Sequence, residues 1–138
     1  MKTLATLLMI LLTSLIHAQE KNTYTINAQV TNVKSAEGNV IFSLHTKDTF
    51  MKGSGIKMVV ATIENGVAKA TFTDIEPGTY AIMVLHDENE NKRMDFEATG
   101  FPKEDYGMSN NPMAFGPPNF NDAKFDITTE DKDFTIRF

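Results

Sequence analysis

The residues best suited to chemistry stand in one stretch, His86-Asp87-Glu88-Asn89-Glu90-Asn91-Lys92-Arg93-Met94-Asp95. Side-chain oxygens fall at Asp87, Asn89, Asn91 and Asp95, positions 1, 3, 5 and 9 of a loop that starts at Asp87. Alternate residues of a tight loop point inward. Such a series can surround a hard cation as an EF-hand-type calcium loop does, with the Arg93 carbonyl at position 7. Two positions depart from that pattern. Lys92 stands where a glycine would make the sharp turn. Ala98 stands where a bidentate glutamate would close the shell, with Glu97 one place early. The same spacing suits a polar turn whose Asx side chains bond their own backbone. Calcium is the one cofactor these residues suggest.

Catalytic groupings are incomplete. His86 with Asp87 could orient a base, Ser109 could act as a nucleophile, and Asp95 with Glu104 could form a carboxylate pair for glycoside chemistry. Simpler roles exist for each. His86 follows an apolar strand and suits a strand end, Ser109-Asn110-Asn111 is a natural turn sequence, and Glu104 lies in a run of charge. There is no G-x-S-x-G elbow and no H-E-x-x-H motif. Beyond residue 18 the only histidines are His45 and His86, and cysteine is absent, so a zinc site would need carboxylates to complete it. The expectation is a non-catalytic protein. The alternative is a small envelope hydrolase built on His86, Asp95 and Glu104. A second candidate surface is aromatic and amide-rich: Tyr106, Asn110, Asn111 and Phe115, with Phe101 nearby, could bind a sugar or protein ligand. Those aromatics could equally form the private core of their own loop.

The elements that must position these residues read as strands. Tyr24, Ile26, Ala28 and Val30 alternate with polar residues, which marks a half-buried strand. Val40, Phe42 and Leu44 alternate with Ile41, Ser43 and His45 in a second. Ile56–Ile63 is a third, Val67–Phe72 a fourth and Tyr80–Leu85 a fifth, apolar on both faces and so central. Asn65-Gly66 is a hairpin signal because both residues tolerate positive φ. Pro77-Gly78 presets another turn. Ala123–Ile127 and Phe134–Phe138 complete seven strands, with Glu130–Asp133 as the turn between the last two. Turns recur every 8 to 12 residues and no amphipathic helix intervenes. This predicts an all-β, antiparallel, immunoglobulin-like or transthyretin-like sandwich, with a closed barrel as the runner-up. The expected core is Val40, Phe42, Leu44, Phe72, Ile82, Val84, Phe134 and Ile136. Between strands five and six, His86–Pro118 lacks strand pattern yet holds many aromatics and methionines among glycines and prolines. It reads as one long ordered loop over an end of the sandwich.

The first 18 residues read as a signal peptide: Lys2, then an apolar run from Leu4 to Leu12, then Ile16-His17-Ala18 as a cleavage site. The run is too short to span a bilayer. The expected mature domain is 19–138, exported to the periplasm or outside the cell, with no stable membrane insertion. Removing the leader takes away Lys2 alone of the charged residues, leaving 12 basic residues against 18 acidic. That balance argues against nucleic acid or an anionic membrane as a partner and permits a cation. Without cysteine the domain must rest on a hydrophobic core, not on disulfides.

The motifs Pro77-Gly78-Thr79-Tyr80, His86-Asp87-Glu88-Asn89-Glu90-Asn91, Gly100–Asn111 and Gly116-Pro117-Pro118 occur in the order found in the secreted bacterial family DUF2141. The chain resembles that family over nearly all of 19–138. The resemblance implies a β-domain and an exported location, but no reaction. Family members often carry glycine at the position of Lys92.

Overall fold

The computed structural model describes residues 22–113 and 116–138. The expected signal segment 1–18 and the candidate ligand residue Phe115 lie outside the described residues. The strands are β1 (Tyr24–Val30), β2 (Asn39–His45), β3 (Lys57–Ala61), β4 (Ala68–Ile75), β5 (Gly78–Asp87), β6 (Tyr106–Met108), β7 (Phe125–Ile127) and β8 (Lys132–Ile136). One short helix, α1 (Phe120–Ala123), precedes β7. A three-stranded sheet runs β4-β1-β8 and a second sheet runs β3-β2-β5-β6, with β7 also paired to β5. The protein is thus an all-β sandwich, as its alternation predicts. Pairing is antiparallel except between β1 and β8, which run parallel.

The inner faces form the core. Ile26, Ala28, Val30, Val40, Phe42, Leu44, Phe72, Ile75, Ile82, Val84, Ile127 and Ile136 are all buried in one cluster. Period-two alternation in β1, β2, β4 and β5 aims these residues at the opposite sheet. Of the expected core, Phe134 alone is only half-buried. It sits on the edge strand β8 and packs against Phe125, ring centroids 4.3 Å apart. Asn65 and Gly66 do adopt positive φ, and Glu64 and Val67 exchange both backbone hydrogen bonds. The hairpin stops there, because β3 and β4 go to different sheets. Likewise β7 and β8 belong to different sheets, and β8 already begins at Lys132, inside the expected Glu130–Asp133 turn.

The two outer faces differ in chemistry. On the three-stranded sheet Asn27, Gln29, Thr71, Asp133 and Thr135 face outward and bond one another across strands. On the five-stranded sheet the outer face of β2 is buried too, at Ile41, Ser43 and His45. The long excursion is therefore more than a cap on one end. It lies along this outer face and contributes β6, an eighth strand that the sequence pattern does not reveal. A second small cluster of Phe50, Ala81, Met108 and Ala123, with Met83 and Phe120 against it, ties α1 to the same face.

Candidate functional site

The Asp87–Asp95 loop brings its predicted residues together. Asp87 is fully buried, and its two carboxylate oxygens accept the backbone N–H groups of Asn91 (3.1 Å) and Lys92 (2.8 Å). The Asn89 side-chain oxygen accepts the same Asn91 N–H at 3.2 Å, and the Asn91 side-chain oxygen accepts from Arg93 at 3.0 Å. Asn89 and Asn91 both donate their amide nitrogens to Asp95 Oδ2. Glu90 and Lys92 hold φ of 59° and 62°. In this arrangement the loop satisfies itself, and nitrogens face Asp95. To hold a cation with their oxygens, both amides would turn over and give up the hydrogen bonds they accept from the N–H groups of Asn91 and Arg93. Among the described residues no group of three or more His, Asp or Glu is placed to hold a metal ion. A further carboxylate does reach the loop from outside the expected span. Glu104 is buried and accepts from the backbone N–H of Glu88 (3.2 Å) and of Asp95 (3.1 Å). A small hairpin brings it there, with Lys103 donating to the Asp95 carbonyl at 2.8 Å.

Of the three residues of the hydrolase alternative, Glu104 stands beside Asp95 while His86 bonds elsewhere. His86 is buried, its Nε2 lies 2.9 Å from the Glu37 carbonyl, and its ring stacks on Phe138. A carbonyl only accepts, so Nε2 carries the proton. Among the described residues no hydrogen bond or ion pair joins His86 to Asp95 or Glu104, and both Glu104 oxygens are held by backbone. Ser109 is fully buried. Its hydroxyl accepts from Ile82 N at 3.0 Å and donates to the Ala123 carbonyl, while its own N–H donates to the Ile82 carbonyl. It occupies the gap on the β5 edge between β6 and β7 and continues the ladder there. Asn110 donates to the carbonyls of Asp122 and Lys124. Asn111 donates to the Thr135 carbonyl and accepts from Arg137 N–H, each at 2.9 Å. The amides expected to meet a ligand are thus spent on clasping the C-terminal segment. Gly107 belongs to the same clasp, because a Cβ there would stand 2.3 Å from the Arg137 carbonyl oxygen. Phe101 is 73% exposed and is not gathered with Tyr106.

Tyr106 instead lines a pocket of about 450 Å³ on the outer face of the five-stranded sheet, between that sheet and the excursion. Strand register explains the pocket. Met58, Ser43, Met83 and Met108 form one row across β3, β2, β5 and β6, and Val60, Ile41, Leu85 and Tyr106 form the next. Residues directly opposite share a face. Ser43 is small, so it leaves a gap between Met58 and Met83, whose strands stand roughly 10 Å apart. Met94, Phe96, Pro102 and Pro118 of the excursion roof the gap, and Lys92 and Arg93 stand at its mouth. Four of the six methionines beyond residue 18 line it: Met51, Met58, Met83 and Met94. His45 is at the floor. Its Nδ1 lies 2.9 Å from the Thr49 carbonyl, so that nitrogen carries the proton and Nε2 keeps its lone pair. Burial pushes the His45 pKa below its usual 6.5, against the opposing effect of the Thr49 hydrogen bond. The ring is therefore neutral at pH 7.

The sequence matches the family described as "Uncharacterized protein conserved in bacteria (DUF2141)" over residues 28–135. The chain belongs to the DUF2141 family. No curated protein and no solved structure matches it. Two motifs by which the chain resembles DUF2141 have structural roles here. Tyr106-Gly107-Met108-Ser109-Asn110-Asn111 is the clasp, and the His86–Asn91 run opens the self-bonded loop. The pocket was not anticipated from the sequence. Its signal lay in β3 and β5, where Met58, Val60, Met83 and Leu85 make the outer face apolar as well.

Proposed function

We propose that this domain is a non-catalytic binding module of an exported protein, and that it takes a small apolar ligand in the pocket over the outer face of the five-stranded sheet. The apolar character of that face carries the reading. Met51, Ile56, Met58, Val60 and Phe96 each keep at least 40% of their surface exposed, all on or beside this face. Contiguous exposed apolar surface marks a site of interaction. The volume falls in the range of small-molecule sites, and methionine side chains adapt to ligands of varied shape. The polar outer face of the other sheet is an internal control from the same fold. An environment-sensitive apolar dye tests the reading. It should bind the folded domain saturably, and Met58→Gln or Met94→Gln should weaken it several-fold. Dye binding that is absent, or indifferent to both substitutions, refutes the pocket.

A second reading concerns the loop. Its carboxylate at position 1 accepts from the N–H groups of positions 5 and 6, and Lys92 already has the positive φ that the sharp turn needs. On these grounds we infer that Asp87–Asp95 is a weak calcium loop, with Glu104 bracing it through the N–H groups of Glu88 and Asp95. An ion that binds only the folded state stabilises it by RT ln(1 + [L]/Kd), about 2.7 kcal/mol at 100-fold over Kd. Affinity should lie in the roughly 10⁻⁴–10⁻³ M range of extracellular modules. Tm should rise in millimolar calcium, less in magnesium, and not at all in Asp95→Ala. Identical melting curves in calcium and in chelator would leave the loop as a self-bonded turn.

A further inference from the structure

We propose that the ligand of the outer-face pocket is an amphipathic anion, a single apolar chain ending in a carboxylate, with the chain over the sheet and the head group between Lys92 and Arg93. This rests on the pocket reading above and adds the ligand's charge. The protein as a whole is acidic, with formal net charge −5. An anion approaching most of its surface is repelled. The pocket reverses that sign: among the described residues its lining includes Lys92 and Arg93 and no aspartate or glutamate. Both cations are exposed at the mouth, while Ile41, Ser43 and His45 are buried at the floor. Arg93 Nε lies 3.9 Å from Asp95, so its charge is partly met; Lys92 has no ion-pair partner among the described residues.

The backbone fixes where Lys92 stands. Its φ is 62° and its N–H is held at 2.8 Å to the buried Asp87, so the residue is anchored beside the pocket while its side chain stays exposed. The floor offers no competing charge, since burial keeps the His45 ring neutral. Apolar chain inward and carboxylate outward is thus the orientation that satisfies both ends of the pocket.

The test is calorimetric titration with straight-chain saturated carboxylates from octanoate to palmitate and with the matching alcohols, all below their micellar concentrations. Affinity should rise about fourfold for each added methylene until the pocket is filled, then level off. Each carboxylate should bind more tightly than its alcohol. That advantage should shrink at high salt and disappear in a Lys92→Gln/Arg93→Gln variant. If alcohols and carboxylates bind equally, the anion assignment is overturned while the apolar pocket stands. If neither series binds, the pocket reading falls and this inference with it. Co-sedimentation of the protein with anionic phospholipid vesicles, without binding to free carboxylates, would overturn the free-ligand assignment in favour of a bilayer surface.

Discussion

Several polar residues that look reactive in the sequence hold the fold together. Ser109, Asn110 and Asn111 have the chemistry of a ligand site, but their side chains are bonded to the backbone of Ile82, of Asp122, Ala123 and Lys124, and of Thr135 and Arg137. A linear sequence does not show that the β5 edge has a gap between β6 and β7, so it cannot show that Ser109 fills it. His45 is the residue whose burial has a measurable consequence. Its folded-state pKa lies below the usual 6.5, so the folded protein binds fewer protons than the unfolded chain just below that pH. Stability should therefore be independent of this group above pH 6.5 and should fall as pH drops from 6.5 toward the lower folded value. Denaturant titrations across that interval should show the loss in the native protein and a smaller loss in His45→Gln, where the side-chain amide can still donate to Thr49. An equal slope in both would assign the acid sensitivity to other groups.

At the scale of elements, inward alternation predicts the buried strands well, and their edges poorly. Phe42 lies on β2, between β3 and β5, and is fully buried; Phe134 lies on the edge strand β8 and is half-exposed. Phe42→Ala should cost about 3–5 kcal/mol, with Phe134→Ala costing clearly less. Equal losses in the midpoint of denaturant unfolding would contradict the placement of β8 at an edge. Strand order explains what the sequence pattern could reveal. Periodicity shows which residues of a strand share a face, and it marks Tyr80–Leu85 as central. It is silent on which strand lies beside which. Hence the parallel β1–β8 pair, the departure of β4 from its Asn-Gly turn to the other sheet, and the three-residue β6 all escape it. The calcium-like spacing was legible, because ligand spacing within one loop is a local property. The role of Glu104 was not, because a hairpin brings it back from nine residues beyond Asp95.

For the whole molecule, the asymmetry between its two outer faces matters most. One sheet turns a mesh of amides, hydroxyls and carboxylates to solvent. The other turns methionines and aliphatic residues outward and shelters part of them beneath an excursion of more than thirty residues between β5 and α1. Loops carried on rigid sheets are where binding sites are commonly built. Here the excursion supplies the roof and the mouth of the pocket, and the sheet supplies its floor. The central claim is that this pocket takes an apolar ligand, and methionine methyl groups report on it directly. In NMR spectra of protein carrying methyl-labelled methionine, titration with dodecanol should shift the signals of Met51, Met58, Met83 and Met94 together. Met113, 95% exposed and outside the pocket, should not respond. A spectrum that stays unchanged at saturating dodecanol, or a shift confined to Met113, would contradict the account.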